Sequence, residues 1–138
     1  MSTMNRLHNC TNRFQGSTRK VLCVCSAGLL RSPTVANWLH KEHGYNTRAC
    51  GASEEYALIK LDQVLATWAD EIVCVEPAIY DMIAPQLIEW KYVGLVNVLR
   101  LPDKFEWNSP ELIEEIAKQY PHGDYYQYEG LQEASLFN

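Results

Sequence analysis

Residues 20–39 read KVLCVCSAGLLRSPTVANWL. Lys20 to Cys25 is a short run of Val, Leu and Cys, the pattern of a strand buried on both faces. Ser26, Ala27 and Gly28 follow and are small. Ser32 suits a helix N-cap and Pro33 the first helical position. Val35, Trp38 and Leu39 then recur at helical spacing, and Gly44 stops the helix. Strand, loop of small residues and helix follow one another without a break.

The same alternation continues along the chain. YNTRACGA (45–52) reads as a second strand. LDQVLATWA puts Leu61, Val64, Leu65 and Trp68 on one helical face. DEIVCVE (70–76) is a third apolar strand, after which Pro77 opens a short helix expected to end near Pro85. GLVNVLRL (94–101) is a fourth strand, and SPELIEEIAKQY brings Leu112, Ile113, Ile116 and Tyr120 onto one helical face. Apolar strands alternating with helices predict a four-stranded parallel sheet with helices on both faces, a small doubly wound α/β domain. The boundaries are a flexible N-terminal extension over 1–19, the domain over 20–121, and a C-terminal tail over 122–138 with no clear period.

Composition narrows the functions. The chain has 138 residues, which suits one core, and a net charge of −5. That balance argues against a nucleic-acid groove, which needs clustered Lys and Arg. No run approaches ~18 apolar residues, so no membrane span is expected. The first twenty residues lack the apolar centre of a signal peptide, so the expected location is cytoplasmic. Five cysteines without zinc-finger spacing fit a reducing compartment, and Cys23, Cys50 and Cys74 read as packing residues in strands. His8, His40, His43 and His122 have no metal-ligand spacing. Neither a metal nor a cofactor is expected.

Cys25 ends the first strand, where ligands bind in open parallel sheets. The loop Ser26, Ala27, Gly28, Leu29 and Leu30 can turn backbone N–H groups inward around an anion. The helix start adds its positive end. Arg31 can grip two oxygens of a tetrahedral oxyanion with its planar fork. The same dipoles favour a thiolate at Cys25, and the Ser32 hydroxyl can donate to the sulfur. The spacing thus joins a nucleophile to an electrophile-binding loop, and the implied chemistry is attack of sulfur on phosphorus. Asp103, just past the fourth strand, is placed to protonate a leaving oxygen, with Glu106 the alternative donor. Tyr56, Phe105 and Trp107 lie in loops expected around the pocket, where an aromatic wall would favour phosphotyrosine.

With Ser32 and Pro33 included, the stretch resembles the signature of the low-molecular-weight protein tyrosine phosphatases, in particular their short bacterial and phage branch. The resemblance covers about residues 20 to 121: KVLCVCSAGLLRSPTVANWL, LATWADEIVCVEP and LRLPDKFEWNSPELIEEI carry it. It implies the sheet order 2-1-3-4. It also implies Cys25 as nucleophile, Arg31 as phosphate-binding arginine, Ser32 as support for the thiolate and Asp103 as general acid. The implied substrate is a phosphotyrosine protein or small aryl phosphate. Gly28 stands where the family carries asparagine, Leu30 where many members carry a second cysteine, and Asp103-Lys104-Phe105 where the family has Asp-Pro-Tyr. Two other functions fit parts of the pattern. One is a phosphate- or phosphoprotein-binding module with little turnover. The other is an arsenate reductase, which needs two further relay cysteines after the third strand, where none follows Cys74.

Overall fold

Lys20–Cys25 forms strand β2, and every residue from Val21 to Cys25 is buried. The computed structural model describes residues 9–10, 18–26, 31–53, 55, 57, 59–102, 104 and 108–129. In chain order the elements are β1 (Asn9–Cys10), β2, α1 (Arg31–His43), β3 (Asn46–Gly51), α2 (Gln63–Trp68) and β4 (Glu71–Cys74). Then come α3 (Pro77–Glu89), β5 (Val93–Val98), α4 (Pro110–Gln119) and β6 (Asp124–Glu129).

The sheet order is β1-β3-β2-β4-β5-β6. Its four central strands are parallel, with Val24 level with Cys50 on β3 and with Cys74 on β4, and Cys74 level with Val98 on β5. This is the expected 2-1-3-4 order in a doubly wound α/β domain. The strand count differs: six are present among the described residues, not four. β1 and β6 pair antiparallel at the two edges and come from segments placed outside the sheet by the sequence reading. β6 is held by aromatic contacts rather than an aliphatic run. The Tyr126 ring stacks on Tyr80 at 4.5 Å, and the Tyr128 and Tyr80 hydroxyls share a hydrogen bond of 2.6 Å.

α1 lies against β2 and β3 and touches α4, whereas α2 lies against β2 and α3 against β4. Chain progression reverses direction after β3, so right-handed crossovers put α1 on one face and α2 and α3 on the other. The reversal creates a crevice at the carboxyl ends of β2 and β4. At the opposite, amino end of the sheet, Glu71 is fully buried. One of its oxygens accepts from Arg19 Nη1 at 2.8 Å and from the Tyr120 hydroxyl at 3.1 Å.

Three local expectations change. Helix α1 begins at Arg31, so Ser32 lies within its first turn and is not its cap. Helix α2 begins after Leu61, with Asp62 as its N-cap accepting from Leu65 N at 2.8 Å; Val64 is 73% exposed and not on the buried face. Helix α3 runs through Pro85 to Glu89. The missing Pro85 N–H costs one bond, to the carbonyl of Asp81 in an exposed stretch, while Ile79, Ile83 and Leu87 keep the buried stripe in register.

Candidate active site

Cys25 closes β2 with 4% of its surface exposed. The chain leaving it is tied to the end of β3: Ala52 N donates to the Cys25 carbonyl at 2.8 Å, and Ser53 N to the Ser26 carbonyl at 2.9 Å. These bonds carry the parallel pairing of β2 and β3 beyond the strand ends. The Cys25 side chain is thereby held at the crevice.

Because α1 starts at Arg31, its first turn brings Arg31 and Ser32 back over the end of β2. Ser32 is fully buried, with Oγ 3.1 Å from Cys25 Sγ and 3.3 Å from the Cys50 carbonyl, to which it donates. A hydroxyl has one proton and two lone pairs. Facing a thiol, it can accept from sulfur while donating to Cys50. Facing a thiolate, it can turn its proton to the sulfur instead. One buried group therefore has a partner for either state of the cysteine.

Arg31 is also buried, at 3% exposure. Its Nη1 donates to the Leu101 carbonyl at 2.9 Å, and its Nη2 lies 3.0 Å from Glu76 Oε2. Leu101 follows β5 and is placed by its own N–H, which donates to the Val75 carbonyl at 2.9 Å. Glu76 follows β4 at the N-cap position of α3, yet its side chain makes no capping bond. The guanidinium thus joins the start of α1 to the carboxyl ends of both β4 and β5. It carries five N–H groups in a rigid fork, so two bonds at separate strand ends define the direction of the rest.

A second tie runs from the same helical turn. Thr34, fully buried, accepts the Asn108 N–H at 2.7 Å. Asn108 sits at φ 60 just before Ser109, which caps α4 by accepting from Leu112 N at 3.2 Å. Leu101 and Asn108 flank the stretch that contains Asp103, so both of its flanks are anchored on α1.

Of the site residues expected from sequence, Cys25, Arg31 and Ser32 come together here, with Ser26 beside them. Ala27, Gly28, Leu29, Leu30, Tyr56, Asp103, Phe105 and Trp107 lie outside the described residues, as does the alternative acid Glu106. The sequence reading missed Glu76 and Thr34. Glu76 carried a signal: it is an acidic residue closing an apolar strand immediately before a proline. Thr34 carried none, because its partner lies 74 positions away.

Cys23, Cys50 and Cys74 are all fully buried, as expected of packing residues. Burial pushes the Cys50 and Cys74 thiols up, and the neighbouring Cys25 and Cys74 add to the effect at Cys50. Among the described residues no group of His, Cys, Asp and Glu is arranged to hold a metal ion. No helix there is long and apolar enough to cross a membrane. In comparisons with known proteins, no family model, curated protein or solved structure matches the chain.

Proposed function

We propose that this chain is a cysteine-dependent phosphatase of the low-molecular-weight tyrosine phosphatase type, hydrolysing phosphotyrosine or small aryl phosphates in the cytoplasm. The observation that carries the reading is the buried contact of 3.1 Å between Cys25 Sγ and Ser32 Oγ at the carboxyl end of a central strand, with buried Arg31 in the same helical turn. A cysteine serving only as core filling has no need of a hydroxyl partner and an adjacent guanidinium.

In the proposed reaction the Cys25 thiolate attacks phosphorus. The sulfur–phosphorus bond forms as the bond to the phenolic oxygen breaks, and Asp103 gives its proton to the departing oxygen. Water then attacks the phosphocysteine, yielding its proton to the Asp103 carboxylate. Inorganic phosphate leaves and the thiolate is restored. Arg31 holds equatorial phosphoryl oxygens through both steps, and Ser32 donates to sulfur when it carries charge.

Cys74 gives little support to the arsenate reductase reading. It is fully buried in β4, where it cannot relay a disulfide without opening the sheet. The test is a rapid-mixing assay with p-nitrophenyl phosphate. A burst of p-nitrophenol stoichiometric with enzyme is expected, with phosphate trapped on Cys25 after acid quench. Cys25→Ser should lose turnover and keep phosphate binding. Activity in that variant within about tenfold of the parent overturns the covalent mechanism.

A further inference from the structure

We propose that Glu76 is a positioning residue for oxyanion binding, acting through Arg31. This inference rests on the phosphatase reading and adds a residue that the signature stretch does not contain. Three observations carry it. The Arg31 guanidinium is buried, so its direction is set by protein atoms and not by water. It is held at two points just beyond the ends of different strands, the Leu101 carbonyl after β5 and Glu76 Oε2 after β4. The Glu76 carboxylate also makes no capping bond to α3, so its contact with Arg31 does not compete with a role at the helix start.

The two anchors have different chemistry. The Leu101 carbonyl is a fixed neutral acceptor. Glu76 supplies both an acceptor and the counter-charge that a buried guanidinium needs. With both in place the fork points one way before any ligand arrives, so its orientation is not taken from binding energy. With Glu76 removed, the guanidinium loses this carboxylate anchor and its direction is less closely fixed. A carboxylate near an anion site also repels the anion. Glu76 therefore helps only while Arg31 is present to be oriented, and this conditional sign separates positioning from a general structural role.

The test measures inorganic phosphate affinity by titration calorimetry in the Cys25→Ser protein, where no turnover intervenes. Glu76→Ala is expected to weaken binding about tenfold, the scale of one charge-assisted hydrogen bond. Glu76→Gln, whose amide oxygen still accepts, should stay within about threefold. Glu76→Met, similar in length but without oxygen, should repeat the alanine loss and serves where the alanine protein fails to fold. In Arg31→Lys, whose ammonium cannot span both anchors, Glu76→Ala should leave phosphate affinity unchanged or improve it. Equal losses with Arg31 intact and in the Arg31→Lys background, or tighter binding in Glu76→Ala with Arg31 intact, overturn the inference alone. Absence of phosphate binding by the Cys25→Ser protein overturns the phosphatase reading together with it.

Discussion

The Thr34 hydroxyl accepts the backbone N–H of Asn108 at 2.7 Å, one helical turn beyond Arg31, whose guanidinium holds the Leu101 carbonyl at 2.9 Å. Residues three apart on a helix share a face. A single turn of α1 thus fixes both flanks of the stretch carrying Asp103, and the same turn supplies the proposed phosphate-binding arginine.

Thr34→Val keeps the shape of the side chain and removes the acceptor. The Asn108 N–H then loses its partner, which costs about 1–3 kcal/mol of stability. Turnover of p-nitrophenyl phosphate should also fall, because the flank of the acid-bearing stretch is released. Urea unfolding and steady-state kinetics on the one variant check both parts. A stability loss with unchanged kcat would separate the tie from the chemistry.

Ser32→Ala removes the group that can face either state of Cys25. The thiolate loses a hydrogen bond to a charged atom, a loss of about 1.5–3 kcal/mol, or roughly ten- to a hundredfold in rate if carried wholly into the transition state. The first chemical step should slow, seen as a smaller rate constant for the p-nitrophenol burst. Phosphate binding to the doubly substituted Cys25→Ser, Ser32→Ala protein should change little. An unaltered burst would mean that the contact at 3.1 Å is packing alone.

Cys50 and Cys74 should be chemically silent in the folded protein. Alkylation requires the thiolate, and burial raises both thiols so that the neutral form persists as pH rises through the range where an exposed cysteine ionises. Iodoacetamide at pH 8, followed by peptide mass spectrometry, should leave both unmodified until denaturant is added. Inorganic phosphate should protect Cys25 and have no effect on the other two. Rapid labelling of Cys74 in the native protein would show that the β4 end opens, and would restore the relay reading.

Much of this arrangement could be read from the sequence because the central strands are local signals. Val21–Cys25, Ile72–Val75 and Val96–Leu99 are buried runs with hardly a polar break, and such runs belong to strands covered on both faces. Cys25, Arg31 and Ser32 were legible for the same reason: they lie in one short stretch between a strand and a helix. The edges were not. β1 has two residues and takes its register from Arg48 and Thr47, far along the chain. β6 reads DYYQYE, which lacks an aliphatic core pattern and is secured by the Tyr80 ring on α3 and a hydroxyl pair. Glu76 looked like the end of a strand because its meaning lies in a partner on another element. Helix α1 starts at Arg31 and not at Pro33, and that two-residue shift turned Ser32 from an expected cap into a buried neighbour of the sulfur.

The sharpest test of the proposed chemistry concerns the proton donor. Asp103 lies between Leu101 and Asn108, the two positions anchored by Arg31 and Thr34. If it protonates the leaving oxygen, Asp103→Asn should lower the rate for ordinary aryl phosphates at least about tenfold, within the usual range for loss of a general acid. The loss should shrink as the leaving phenol becomes more acidic, because a good leaving group departs without a proton. The variant should also lose the high-pH limb of a bell-shaped kcat/KM profile, if that limb reports deprotonation of the donor. A series of aryl phosphates of graded phenol acidity, run on both proteins, decides the matter. A steeper dependence on leaving-group acidity in Asp103→Asn identifies the donor. Parallel lines for the two proteins remove Asp103 from the mechanism, make Glu106 the next residue to substitute, and shift weight toward a phosphate-binding module. Phosphate affinity measured on the same two proteins separates the roles, because loss of a proton donor changes the slope, whereas a damaged anion site lowers the rate for every leaving group alike.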